Sequence, residues 1–195
     1  MTEGGLRERK QERQRAELVA VGIRLFAQRG FDATTVDEVA EAAEVSRRTL
    51  FRYFGTKGDI VMEWARGTTA VLTESLRGRP LDEPPLVSLH AVFTAMCASF
   101  TDRPAEVRAV SVMIERTPSL RPYSLLKHAQ WEDALAVVLR ERSPEIGELR
   151  SALLARIAVA TFRTALDEWM LADGDTPPFD SLDRAFGAIQ QGLHR

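Results

Sequence analysis

Apolar positions recur every three or four residues along almost the whole chain, and alternation of period two is rare. The pattern therefore predicts helix after helix. The first runs from about residue 7 to 29, with Leu18, Val21, Leu25 and Phe26 on one face and Gly30 as its stop. Gly22 interrupts that face, at a cost of about 1 kcal/mol relative to alanine. Thr35-Val36-Asp37-Glu38 has the form of a capping box and opens a short helix ending near Ala43. Ser46 caps the next helix, which runs to about Phe54 with Leu50 and Phe54 facing inward at i,i+4 spacing. Further helices are expected over 57–76, 86–101, 104–116, 120–142, 145–172 and 179–193. Proline- and glycine-rich loops separate them at 77–85 and 173–178. Pro104, Pro122 and Pro144 suit first-turn positions. About nine helices and no strand make an all-α fold.

Composition changes this picture little, but charge changes it considerably. The chain has 195 residues, 45% of them hydrophobic and 28% charged, as in ordinary globular proteins. Cys97 is the single cysteine, which excludes an intramolecular disulfide and a multi-cysteine zinc site. A reducing, cytoplasmic setting is expected. No apolar run approaches the ~20 residues of a membrane span, and no signal-peptide core follows the basic start. The net charge of −2 argues against a nucleic-acid partner until it is divided along the chain. Residues 1–58 carry a net +2, and the remainder carries −4. From Ser46 to Gly58 there are four basic residues and no acidic one.

Two capped short helices, 36–43 and 46–54, joined by the tight turn Ala43-Glu44-Val45, read as a helix-turn-helix. In that motif the second helix packs its inner face on the first and presents its outer face to base edges in the major groove. The outer face here carries Arg47, Arg48 and Phe51, with Arg52 and Tyr53 around the next turn. Arginine pairs bidentately with guanine, and an aromatic edge packs on a thymine methyl. The Tyr53 hydroxyl and the Lys57 ammonium suit phosphate oxygens. Lys57 also opens the following helix, whose N-terminal dipole favours an anion. Three arginines alone describe an ordinary solvated helix end; the capped pair of helices is what points to DNA.

The segment Leu25–Val61, LFAQRGFDATTVDEVAEAAEVSRRTLFRYFGTKGDIV, resembles the DNA-binding domain of the TetR family of transcriptional repressors. The matching elements are LFxxxGF, ATTVxxVA, VSxxTLFxYF and TKxDI. Together with QWEDALA (Gln130–Ala136), they resemble the mycofactocin-regulator-like group within it. The resemblance implies that Arg47, Arg48 and Phe51 touch bases and that Thr35, Thr49, Tyr53 and Lys57 hold phosphates. It implies a helix-turn-helix domain over 1–56 and a helical ligand-binding and dimerisation domain over 57–195. The expected partners are double-stranded operator DNA, a second copy of the chain paired through the last two helices, and a small-molecule effector. Two positions depart from the family pattern. Asp37 stands where some members carry a basic residue; an aspartate there repels phosphate, accepts from cytosine or serves the helix N-terminus. Glu44 stands where glycine is frequent, and a left-handed backbone there costs about 1 kcal/mol or more.

Beyond the DNA-binding part, the 145–172 segment carries Leu149, Leu153, Ile157 and Ala160 on one stripe and alanines on another. A helix with two apolar faces is central to its own domain or shared with a partner. Candidate effector contacts are Phe93, Met96, Phe100, Met113, Tyr123, Trp131, Phe162 and Trp169, a methionine- and aromatic-rich set suited to an adaptable apolar cavity. An apolar effector such as a fatty acyl compound is expected, with His90, His128, Tyr123, Thr161 and Arg163 as polar orienters.

Other classes of function fare worse. His90 and Cys97 share a helix face but lie ~10.5 Å apart along the axis, too far for a nucleophilic pair. Glu132 follows His128 by four residues, and a surface contact accounts for that spacing better than half of a metal site. No enzyme activity, metal or cofactor is expected. An activator shares every feature named here with a repressor, whereas the acidic C-terminal part argues against an architectural protein that coats DNA indiscriminately.

Overall fold

The structure, a computed structural model, describes residues 3–98, 104–171 and 178–193. Among these are nine α-helices and no strand, in line with the all-α pattern of the sequence. In chain order they are α1 (Glu3–Arg29), α2 (Val36–Ala42), α3 (Arg47–Tyr53), α4 (Lys57–Arg77), α5 (Pro85–Ala98), α6 (Pro104–Arg116), α7 (Arg121–Arg142), α8 (Glu148–Leu171) and α9 (Phe179–Leu193). Single 3-10 turns, Pro118–Leu120 and Pro144–Ile146, precede α7 and α8. The second explains why α8 begins at Glu148 instead of near residue 145: Gly147 takes a φ of 71° and breaks the turn from the helix.

The described residues form two compact units, which divide the chain differently from the functional division expected after residue 56. One comprises Met1–Arg66 together with Ala109–Ser124, and the other comprises Gly67–Arg108 with Leu125–Arg195.

The first unit is built on one apolar cluster. Leu18 and Phe26 from α1, Val39 from α2, Leu50 from α3 and Ile60 from α4 are all fully buried in it. Met113, Ile114 and Leu120 belong to the same cluster, so the end of α6 and the turn after it are part of this core. Gly22 acquires a reason here. A Cβ on it would stand 2.9 Å from the Ile60 side chain, so the bare backbone lets α4 approach α1.

The second unit buries Leu72, Leu76, Leu89, Phe93, Trp131, Leu135, Phe162 and Phe186 in a separate cluster. The alanines of α8 (Ala155, Ala158, Ala165) face this core. Its leucine stripe faces away from it, with Leu149 84% and Leu153 55% exposed. Arg79 holds Glu83 in an ion pair across the loop between α4 and α5, Ser88 donates to the same carboxylate at 2.6 Å, and Arg142 donates to the Pro80 carbonyl. Together Arg79 and Ser88 hold the Glu83 carboxyl down at about 2.

Candidate nucleic-acid interface

The two short helices are capped as their sequences predict. Thr35 precedes α2; its hydroxyl accepts from the Glu38 amide, and the Glu38 carboxylate accepts from the Thr35 amide at 2.7 Å. These bonds favour the ionised carboxylate, and the Glu38 carboxyl titrates below its ordinary range. Ser46 caps α3 by accepting from the Thr49 amide at 3.1 Å. Between them, Glu44 takes a φ of 53°. The Glu44 amide donates to Glu41 O and the Val45 amide to Ala40 O, which is the Schellman arrangement of a helix end. The turn between α2 and α3 is thus fixed by backbone bonds, at the expense of a left-handed non-glycine residue.

Leu50 and Phe54 are buried and Tyr53 packs half-buried against the same core, so the opposite face of α3 is the one turned outward. Arg47, Arg48, Phe51 and Arg52 are exposed on that surface. Arg47 pairs with Asp37 of α2 through both carboxylate oxygens, at 3.1 and 3.2 Å, and its guanidinium lies 5.4 Å from the Phe51 ring centroid. Arg52 stacks in the same way on Tyr53, 5.1 Å from its centroid. Arg48 has no hydrogen-bond or charge partner among the described residues.

The residues expected at phosphates are held from several directions. Thr35 is exposed within its capping box, and the Thr49 hydroxyl lies 2.8 Å from that of Ser46. The Tyr53 hydroxyl donates to Gln14 of α1 at 2.9 Å. The Lys57 ammonium donates to the carbonyls of Phe31 (2.7 Å), Thr34 (2.8 Å) and Asp32 (3.4 Å) and sits 4.6 Å from the Phe31 ring centroid. Its three donors are therefore turned towards the loop that leads to Thr35.

The residues expected around an effector do not all gather in one place. Phe93, Met96, Trp131 and Phe162 meet in the core of the second unit, with Phe93 and Phe162 stacked at 4.7 Å. Trp169 is buried on α8 outside that cluster. Met113 and Tyr123 belong instead to the core of the first unit, because the chain folds 109–124 back onto α1 to α4. Phe100 lies outside the described residues. Of the polar candidates, His90 pairs with Asp183 at 2.9 Å and stacks on Phe186, and Thr161 donates to the Ile157 carbonyl of its own helix. Arg163 is exposed. His128 is not at the surface as its spacing suggests. It is 2% exposed, edge-on to Trp131, while Glu132 faces Arg156. Cys97 is buried, and burial pushes its thiol up to about 12, so it is not a thiolate nucleophile at neutral pH.

Comparison with known proteins agrees with this arrangement. Residues 18–63 match the bacterial regulatory proteins of the tetR family, and residues 83–194 match the MftR C-terminal domain. The chain is 31% identical to the HTH-type transcriptional regulator TcmR of Streptomyces glaucescens, over 97% of this chain and 86% of that one. It is 29% identical to MftR of Mycobacterium tuberculosis, named as a mycofactocin biosynthesis transcriptional regulator, over 90% and 88% of the two chains. Among solved structures, FadR of Bacillus subtilis superposes with a TM-score of 0.67 at 17% identity, over 91% of this chain and 98% of that one. The capped helix pair, the basic outer face of α3 and these matches together show that the chain belongs to the TetR family of bacterial regulatory proteins, with mycofactocin-regulator-like relatives, and is a DNA-binding transcriptional regulator rather than an enzyme.

Proposed function

We propose that the protein is a homodimeric repressor of a roughly palindromic operator, released from DNA by an apolar small-molecule effector. The observation that carries the reading is the exposed face of α3, where Arg47, Arg48 and Phe51 stand on a helix fixed at both ends. Residues 1–56 supply the DNA contacts, and 57–195 dimerise and sense the effector. Arg47, Arg48 and Phe51 read bases, and Thr35, Thr49 and Tyr53 meet phosphates. Lys57 acts on the same surface by holding the loop that presents Thr35. Two copies of α3 enter successive major grooves about 34–36 Å apart, which makes the operator palindromic.

Repression is favoured by the relative of Corynebacterium glutamicum named the transcriptional repressor AcnR, which is 26% identical over 78% of each chain. Pairing of two copies through α8 and α9 is favoured by the outward leucine stripe of α8. An acyl effector is favoured by the Phe93–Trp131–Phe162 cluster and by fold neighbours from Bacillus subtilis and Thermus thermophilus that hold stearoyl-CoA and lauroyl-CoA. Release requires that the effector bind the DNA-free conformer more tightly than the DNA-bound one.

The test is a mobility-shift titration with the duplex upstream of the protein's own coding sequence, against random duplex at moderate salt. Tighter binding to the upstream duplex, weakened by added acyl-CoA, is expected. Equal affinity for both duplexes overturns the reading. Arg48→Ala should weaken binding by about 1–3 kcal/mol at particular base pairs only.

A further inference from the structure

Asp37 is an acidic residue on a surface that faces phosphates, and its chemistry is unexplained by helix capping. The capping box already engages the amides of Thr35 and Glu38 through other side chains. Among the described residues, the Asp37 carboxylate pairs with Arg47 and with nothing else. Both partners are exposed, 60% and 66% at the side chain, so the pair adds little to folding stability. Its effect lies in where it puts the guanidinium.

We propose that Asp37 is the positioning residue for Arg47, fixing that guanidinium in the plane and direction needed to read a guanine. The proposal rests on the reading of α3 as the base-contacting helix. Asp37 Oδ2 accepts from Arg47 Nη1 at 3.2 Å, Oδ1 lies 3.1 Å from Nε, and the guanidinium carbon stands 5.4 Å from the Phe51 ring centroid. One of the five N–H donors of the arginine is thereby taken, and the carboxylate charge lies against a second nitrogen. Of the four that remain, three lie on the terminal nitrogens, the edge that pairs with guanine O6 and N7. A planar fork held in advance loses less rotamer freedom on meeting its base than a free side chain does. The same carboxylate repels phosphates, so Asp37 lowers affinity for DNA at large while sharpening it for one base pair. Arg48, with no such partner, has no comparable orientation.

The experiment selects duplexes from a randomised library with the wild-type protein. It then titrates the selected duplex, its single-base-pair variants and random duplex with wild type, D37A, D37N, R47A and D37A/R47A. Melting curves confirm that each variant is folded. At the base pair whose discrimination is lost in R47A, D37A should lose about tenfold of discrimination. D37N, which keeps one acceptor, should lose less. In the R47A background D37A should change discrimination no further, while binding to random duplex rises in both backgrounds. Unchanged discrimination in both Asp37 variants overturns the proposal, as does the same loss with and without Arg47. If no base pair depends on Arg47, the base-reading assignment itself fails, and the role of Asp37 with it.

Discussion

The phenol ring of Tyr123 lies directly on the backbone of Gly58. A Cβ on residue 58 would stand 2.7 Å from ring carbon Cε1, and nearer still to Cζ and the hydroxyl oxygen. Gly58 is buried near the start of α4, immediately after Lys57. Glycine here is a matter of approach between two segments far apart in sequence. Gly58→Ala should therefore destabilise the protein by about 1–3 kcal/mol through overpacking. Adding Tyr123→Ala should recover part of that loss, since it removes the obstructing ring. Denaturant titration of the two single variants and the double variant checks this; strictly additive losses would mean the ring and the new methyl do not meet.

Glu44 is the one non-glycine residue of positive φ among those described. Its left-handed backbone costs about 1 kcal/mol or more, and glycine removes that strain while gaining freedom in the unfolded chain. Glu44→Gly should raise stability by roughly 0.5–1 kcal/mol. An upward shift of the denaturant midpoint at unchanged slope is the expected readout. A lower midpoint would show that the Glu44 side chain contributes more than its backbone costs.

Lys57 separates two roles that look alike in sequence. With its ammonium on three carbonyls, Lys57→Met should cost about 1.5–3 kcal/mol of stability, the range for hydrogen bonds to a charged group. The dependence of DNA affinity on salt should be nearly unchanged. A lysine that neutralises a phosphate instead lowers the salt slope by about 1 when removed. Titration at several salt concentrations distinguishes the two.

The loop between α4 and α5 gives a pH prediction. Hydrogen bonds from Arg79 and then Ser88 depress the Glu83 carboxyl from 4.5 to about 2. A depressed carboxyl contributes stability above its unfolded value and loses it as pH falls through the folded one. Glu83→Gln should therefore flatten the fall in stability between pH 4.5 and about 2. Acid titration of wild type and variant, followed by circular dichroism, compares the two curves over that window.

Leu153 tests the proposed pairing of two copies. A charge at an exposed position of the α8 stripe leaves the monomer core untouched but is costly to bury in a shared face. Leu153→Glu should sediment as a monomer where the wild type sediments as a dimer. A dimeric variant would place the contact elsewhere.

The helices were legible because each carries its own signals. The Thr35 and Ser46 caps, Gly30 and the proline starts are local, and apolar spacing placed Leu50 and Phe54 inward without knowledge of their neighbours. The basic outer face of α3 followed from the same spacing. What local pattern could not supply was the partner of each side chain. Tyr123 and Met113 look like cavity residues by type, yet they pack with α1 to α4, which spacing within α6 and α7 does not encode. The bond from Tyr53 to Gln14 spans 39 positions and has no sequence signature. Asp37 and Arg47 are ten positions apart across a turn, and only the angle between α2 and α3 brings them together.

The core that supports α3 is not contiguous in the chain. Met113, Ile114 and Leu120 complete a cluster begun by Leu18 and Phe26. In the language of recombination, the DNA-reading module is therefore inherited in two pieces. A hybrid regulator that joins this chain's first 66 residues to another member's C-terminal part inherits foreign side chains at 109–124, and with them a misfit in the core that α3 shares. Exchange of DNA specificity between relatives should succeed when both pieces travel together, or when substitutions are confined to the outer face of α3.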